Sequence, residues 1–161
     1  MDAETRSVAA ATPILRLSAW PAAFSIAGIL LWYEQFKLTG NPGSVWLFTV
    51  LSDWLGIHGY EKPLRWGVGL AEIVASLLVL VPRTRLPGAL LALGIMSGAI
   101  FFHVLSPLGI DPYRDGGKLF EEACGVWLAS AFLLLVHRRE LMALLRRLRE
   151  SGRMRAERLS T

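Results

Sequence analysis

The chain has 161 residues, 53% of them hydrophobic, with a mean hydropathy of +0.45 and a formal net charge of +4. That length fits one domain, and the hydropathy excludes a disordered chain. The single cysteine, Cys124, excludes an internal disulfide framework and any paired-cysteine redox or zinc motif.

Residues 1–16 hold Asp2, Glu4, Arg6 and Arg16, and no small-residue cleavage pattern follows a short apolar core. The segment therefore reads as a retained cytoplasmic N-terminus rather than a signal peptide. Four apolar runs follow at about 17–36, 64–81, 87–105 and 119–136, each near the ~20 residues that cross a hydrocarbon core. Between the first two, Asn41-Pro42-Gly43 marks a turn after which Ser44 is expected to cap a short helix, with Leu47, Val50, Leu51 and Trp54 on one face. Pro82 and Pro87 bracket a short turn that makes the second and third runs an antiparallel hairpin. Asp111-Pro112 and Asp115-Gly116-Gly117 punctuate the loop before the fourth run. In the tail, 138–161, Leu141, Leu144, Leu145 and Leu148 repeat at helical spacing with arginines between them. This pattern predicts a basic amphipathic helix on an anionic leaflet.

The fold expected is therefore all-α: an integral membrane four-helix bundle, residues 17–137, with a short interfacial helix outside and a basic tail. Its direction follows from the basic residues at the span ends. Arg6, Arg16, Arg83, Arg85, Arg138, Arg139, Arg146, Arg147, Arg149, Arg153, Arg155 and Arg158 fall on one side. Lys37, Lys62, Arg65, Arg114 and Lys118 fall on the other. The richer side is cytoplasmic, so both termini are expected there. The basic excess thus reports topology and contact with anionic lipid, not nucleic acid.

Several strings resemble the small DoxX-like membrane proteins. They are Phe36-Lys37-Leu38-Thr39-Gly40 with Pro42 and Phe48, Gly69-Leu70-Ala71-Glu72, and Leu77-Leu78-Val79-Leu80-Val81-Pro82. Gly88-Ala89-Leu90-Leu91, Met96-Ser97-Gly98-Ala99-Ile100 with His103, Leu108-Gly109-Ile110, Asp115-Gly116-Gly117-Lys118-Leu119-Phe120 and His137-Arg138-Arg139 continue the likeness. The resemblance covers roughly residues 19–139. It implies a four-helix protein of the bacterial cytoplasmic (inner) membrane. Relatives of that kind include a small membrane subunit of thiosulfate–quinone oxidoreductase and a partner in membrane-bound oxidative-stress complexes. The segment 52–61 and the long arginine tail depart from the pattern.

Ionisable groups inside a bilayer are costly and mark candidate sites. Glu34 and Lys37 fall near the outer end of the first span, Arg65 and Glu72 in the outer part of the second, His103 in the third, and Lys118, Glu121 and Glu122 open the fourth. These eight residues are the candidate pocket in the outer half of the bundle. Arg65, Gly69, Glu72 and Ser76 form one seam, Met96, Ala99 and His103 a second, and Glu122, Gly125 and Ala129 a third. Gly94 and Gly98 offer close helix packing.

Three functions compete for that pocket. Glu72 and His103 are candidate proton-transfer residues for a quinone, with Trp32, Tyr33, Trp66, Phe101 and Phe102 as aromatic walls. Glu34, Glu72, His103 and Glu122 are the residues a metal would need, but no Glu-x-x-His motif accompanies them, so no metal is expected. Alternatively, Arg65 with Glu72, or Lys118 with Glu121 and Glu122, pair structurally in a non-catalytic ligand-binding or scaffold protein. No nucleophile triad, phosphate-binding loop or dinucleotide fingerprint is present. The expected role is an accessory or redox-associated membrane subunit, working with a redox partner protein or as a homo-oligomer. Any enzymatic part is that of a membrane subunit in a quinone-linked oxidoreductase.

Overall fold

The computed structural model describes residues 3–138, 140–142 and 146, with side chains from residue 17 onward, and all regular structure among them is helical. In chain order the helices are α1 (Ala3–Thr39), α2 (Pro42–Trp54), α3 (Glu61–Leu80), α4 (Arg85–Leu105) and α5 (Lys118–Val136). The tail repeat rests on Leu144, Leu145 and Leu148, which lie outside the described residues.

Three helices, α3, α4 and α5, are long and apolar enough to cross a membrane, which marks a multi-pass membrane protein by length and composition. Their ends fall within three residues of the expected spans. The run 17–36 lies inside α1, which continues back to Ala3 and forward to Thr39. Trp20, Pro21, Tyr33 and Glu34 interrupt its apolar character. The outward surface agrees with a lipid environment. Leu70 and Leu77 of α3, Val104 and Leu105 of α4, and Leu128 and Leu135 of α5 are all exposed. Water would not tolerate an apolar surface of that extent on a monomer.

The long helices pack as a ring in which α1 touches α3 and α5, and α4 touches α3 and α5. Alanines make this possible. Ala19, Ala23 and Ala27 of α1, Ala75 of α3, Ala89 and Ala92 of α4 and Ala123 of α5 are buried with Ile26, Leu30, Val79, Met96, Val126 and Leu133. Lipid-embedded helices gain little from hiding apolar area from one another, so close approach across small residues supplies the attraction.

The α3–α4 hairpin is tighter than the two prolines suggest. Helix α4 begins at Arg85, so Pro87 sits in its first turn, where its missing N–H breaks no hydrogen bond. A Cβ on Gly88 would lie 2.6 Å from the Val79 nitrogen, so backbone meets backbone there. The expected packing pair Gly94 and Gly98 does nothing of the kind: a Cβ at either finds no atom within 4 Å. The same holds for Gly125 in the third seam, whereas Arg65, Gly69, Glu72 and Ser76 are buried as a stripe. Arg85 is buried too, donating from Nε to the Val79 carbonyl at 3.0 Å with its guanidinium over the Trp20 ring.

Helix α2 lies across one end of the bundle. Its cap is Asn41 rather than Ser44: the Asn41 side chain accepts from Gly43 N at 3.0 Å, and Pro42 follows at the first helical position. Ser44 is buried inside the helix. The buried face carries Leu47, Phe48 and Leu51, which cluster with Leu108, while Trp54 is exposed. The face is thus rotated from the one expected.

Candidate functional site

The polar residues of the bundle gather at the end covered by α2, and turn chemistry places them there. Gly40 adopts a left-handed φ of +73°, which ends α1 and lets Asn41 N donate to the Phe36 carbonyl at 3.1 Å. Arg65 then reaches across from α3 and donates from Nη1 to the Lys37 carbonyl, one of the orphan acceptors at the end of α1. At the start of α5, Asp115 Oδ1 accepts from Gly117 N and Lys118 N, both at 3.2 Å. Two of the strings behind the family resemblance, 36–42 and 115–120, are therefore helix-ending and helix-starting devices.

Glu34, Arg65, Glu72 and His103 are 4%, 5%, 4% and 4% exposed. Their pairing differs from expectation. Arg65 pairs with Glu61, one turn earlier on its own helix, and not with Glu72. Lys37 of α1 instead holds two carboxylates, Glu34 at 3.1 Å and Glu72 of α3 at 2.5 Å. The physical reason is register: Arg65 and Glu72 share a face but stand ~10 Å apart along it, while Lys37 meets Glu72 side-on. Glu34 fits because Gly69 has no side chain; a Cβ there would lie 2.5 Å from Glu34 Oε2. Lys118 and Glu121 are exposed, and no ion pair joins Lys118 to Glu121 or Glu122 among the described residues.

Next to this triad lies a cavity of about 650 Å³. Its walls are mainly apolar, from Leu30, Leu47, Phe48, Val68, Met96 and Phe102, with contributions from every helix. Of the eight candidate residues, Lys37, Glu72, His103 and Glu122 line it. Glu34 and Arg65 stand behind the lining, and Lys118 and Glu121 face away. The aromatic wall is also only partly as expected. Tyr33 and Phe102 line the cavity, joined by Phe36 and Phe48, but Trp32, Trp66 and Phe101 are exposed on the outer surface.

The two candidate proton-transfer residues share the cavity but are engaged separately. Glu72 is held by Lys37, and His103 Nδ1 donates to the Gly109 carbonyl at 2.7 Å. Because a carbonyl only accepts, Nδ1 carries a proton. No hydrogen bond joins Glu72 to His103 among the described residues. The Glu122 carboxylate faces the Tyr33 phenol, and its Oε2 is buried with no hydrogen-bond partner among the described residues.

Asn41, Ser44 and Tyr113 line the cavity without having been singled out in the sequence. Tyr113 comes from the loop before α5 and donates to the Gly43 carbonyl at 3.0 Å, tying that loop to α2. Partial burial, then the Asp115 carboxylate, raises its phenol above the ordinary 10. The tether is therefore intact below pH 10 and weakens as the phenol ionises above it. The Asp53–His58 pair, at 2.9 Å, lies in solvent. No group of three or more His, Cys, Asp or Glu side chains positioned to hold a metal occurs among the described residues.

No protein-family model, curated protein or solved structure matches the chain.

Proposed function

We propose that this chain is a DoxX-like protein of the bacterial cytoplasmic membrane that crosses the bilayer four times, α1 included, with both termini in the cytoplasm. In this reading α2 lies at the outer interface, the arginine-rich tail rests on anionic lipid, and the cavity opens in the outer half of the bundle. The protein acts there as an accessory, redox-associated subunit that binds a lipid-soluble ligand of the quinone class. A redox partner protein, or a second copy of the chain, completes the working assembly.

The observation that carries this reading is the cavity itself. Its volume of about 650 Å³ lies within the range of small-molecule sites, and apolar walls end in a charged group of residues buried in a membrane helix bundle. Lys37, Glu72, His103 and Glu122 are the groups that would orient a polar head and handle its protons. A second reading draws on the Lys37 triad: both carboxylates already have a cation, as a scaffold requires.

Glu72→Gln separates the two. On the redox reading it leaves folding intact and abolishes quinone-dependent activity of the complex purified from native membranes. On the scaffold reading it lowers yield and thermal stability while any activity per folded molecule persists.

A further inference from the structure

The cavity is not closed toward the outside of the bundle. Gly67 of α3 and Gly94 of α4 both line it, yet both are also exposed at the molecular surface, and Gly98 of α4 lines it beside them. A Cβ at any of the three would meet nothing within 4 Å. Helices α3 and α4 are neighbours, so these glycines mark an opening between adjacent helices. The level of the opening is informative. Gly94 lies about 14 Å from the start of α4 and about 17 Å from its end. Gly98 lies about 11 Å from the end of α4 and Gly67 about 9 Å from the start of α3, so in helices able to cross a membrane the opening runs from the middle of the span into its outer half.

The other end of the cavity specifies the head group. Lys37 spends two of its three N–H donors on Glu34 and Glu72, and His103 Nδ1 donates to Gly109. Glu122 Oε2 is a buried acceptor with no hydrogen-bond partner among the described residues. A buried acceptor without a donor is costly, so the complementary occupant is one that donates.

Building on the ligand-binding reading above, we infer that the cavity is loaded sideways from the bilayer, through the cleft at Gly67, Gly94 and Gly98, by a single-chain amphiphile whose hydroxyl head donates to Glu122 while its chain lies in the cleft. Among quinones this selects the quinol, whose hydroxyls donate, over the quinone, whose carbonyls only accept.

The test uses the full chain in lipid nanodiscs and two probes, decyl-ubiquinol and dodecan-1-ol, with decyl-ubiquinone for comparison. Leucine at Gly94 and Gly98 together fills the cleft from α4; Gly67→Leu fills it independently from α3. Leucine is a better helix former than glycine and meets open space at all three sites, so both variants should fold. Gly125→Leu, on α5 and outside the cavity, is the control. The expected result is at least tenfold weaker probe binding in both cleft variants, none in the control, and tighter binding of quinol than quinone in the unmodified protein. Glu122→Leu should erase that preference. Unchanged binding in both cleft variants overturns the inference while leaving the quinone reading standing. Cleft-dependent binding of dodecan-1-ol without quinol supports the inference and sinks the quinone reading. Binding of neither probe, or tighter binding of quinone than quinol, overturns the inference.

Discussion

Replacing Lys37 with methionine is expected to destabilise the protein by about 3–5 kcal/mol, the usual effect of removing one partner from a buried ion pair. The size follows from what remains. Glu34 and Glu72 are both almost fully buried, and Lys37 is the only cation paired with either among the described residues. Without it two carboxylates share a low-dielectric site, where their repulsion is little screened. Methionine keeps most of the side-chain length, so lost packing contributes little. Thermal unfolding in a fixed detergent reads the loss. Adding Glu34→Gln and Glu72→Gln to the methionine variant should restore most of it, because the charges that needed Lys37 are then gone. A single Lys37→Met with wild-type stability would show that the triad is not a buried electrostatic unit.

Gly88→Val carries the second large effect, about 1–3 kcal/mol from overpacking. Its Cβ would fall 2.6 Å from the Val79 nitrogen and 2.8 Å from the Leu78 carbonyl carbon, and neither can move without shifting α3 against α4. Gly28→Ala and Gly125→Ala, which meet nothing within 4 Å, are the matched controls. They should be neutral or stabilising by up to ~1 kcal/mol, because alanine loses less conformational freedom in a helix. A Gly88 variant as stable as these controls would contradict the close α3–α4 approach. Because Val79 also receives the Arg85 hydrogen bond, the same substitution should loosen Arg85 from Trp20.

The helices were legible in the sequence because apolar runs near 20 residues have few alternatives, and the ends of α3, α4 and α5 follow from Pro, Gly and Asp chemistry. The seam through Arg65, Gly69, Glu72 and Ser76 was legible for the same reason: spacing along one helix fixes its faces. What spacing cannot fix is the register between helices. Arg65 and Glu72 looked like partners because they share a face, yet Glu72 takes its cation from Lys37, 35 residues away. Gly94 and Gly98 carried the spacing of a packing motif, but whether a neighbouring helix fills that face is a tertiary matter, and here it is left open. Tyr113 was missed because a loop residue gives no periodic signal, and only the fold brings it over Gly43. Aromatic residues likewise divided by face. Tyr33 points into the cavity while its neighbour Trp32 points out, a difference of about 100° around the helix.

The cavity is proposed to hold a lipid-soluble occupant, and the most direct measurement is to ask what it holds in the native membrane. Protein extracted without detergent from its own membrane, stripped of bulk lipid, can be opened in solvent and its retained small molecules identified by mass. The prediction is a hydroxyl-headed, single-chain amphiphile at close to one per chain, depleted in Glu122→Leu and in the Gly94/Gly98 leucine variant. Bulk phospholipid alone, in equal amounts from all three proteins, would contradict it.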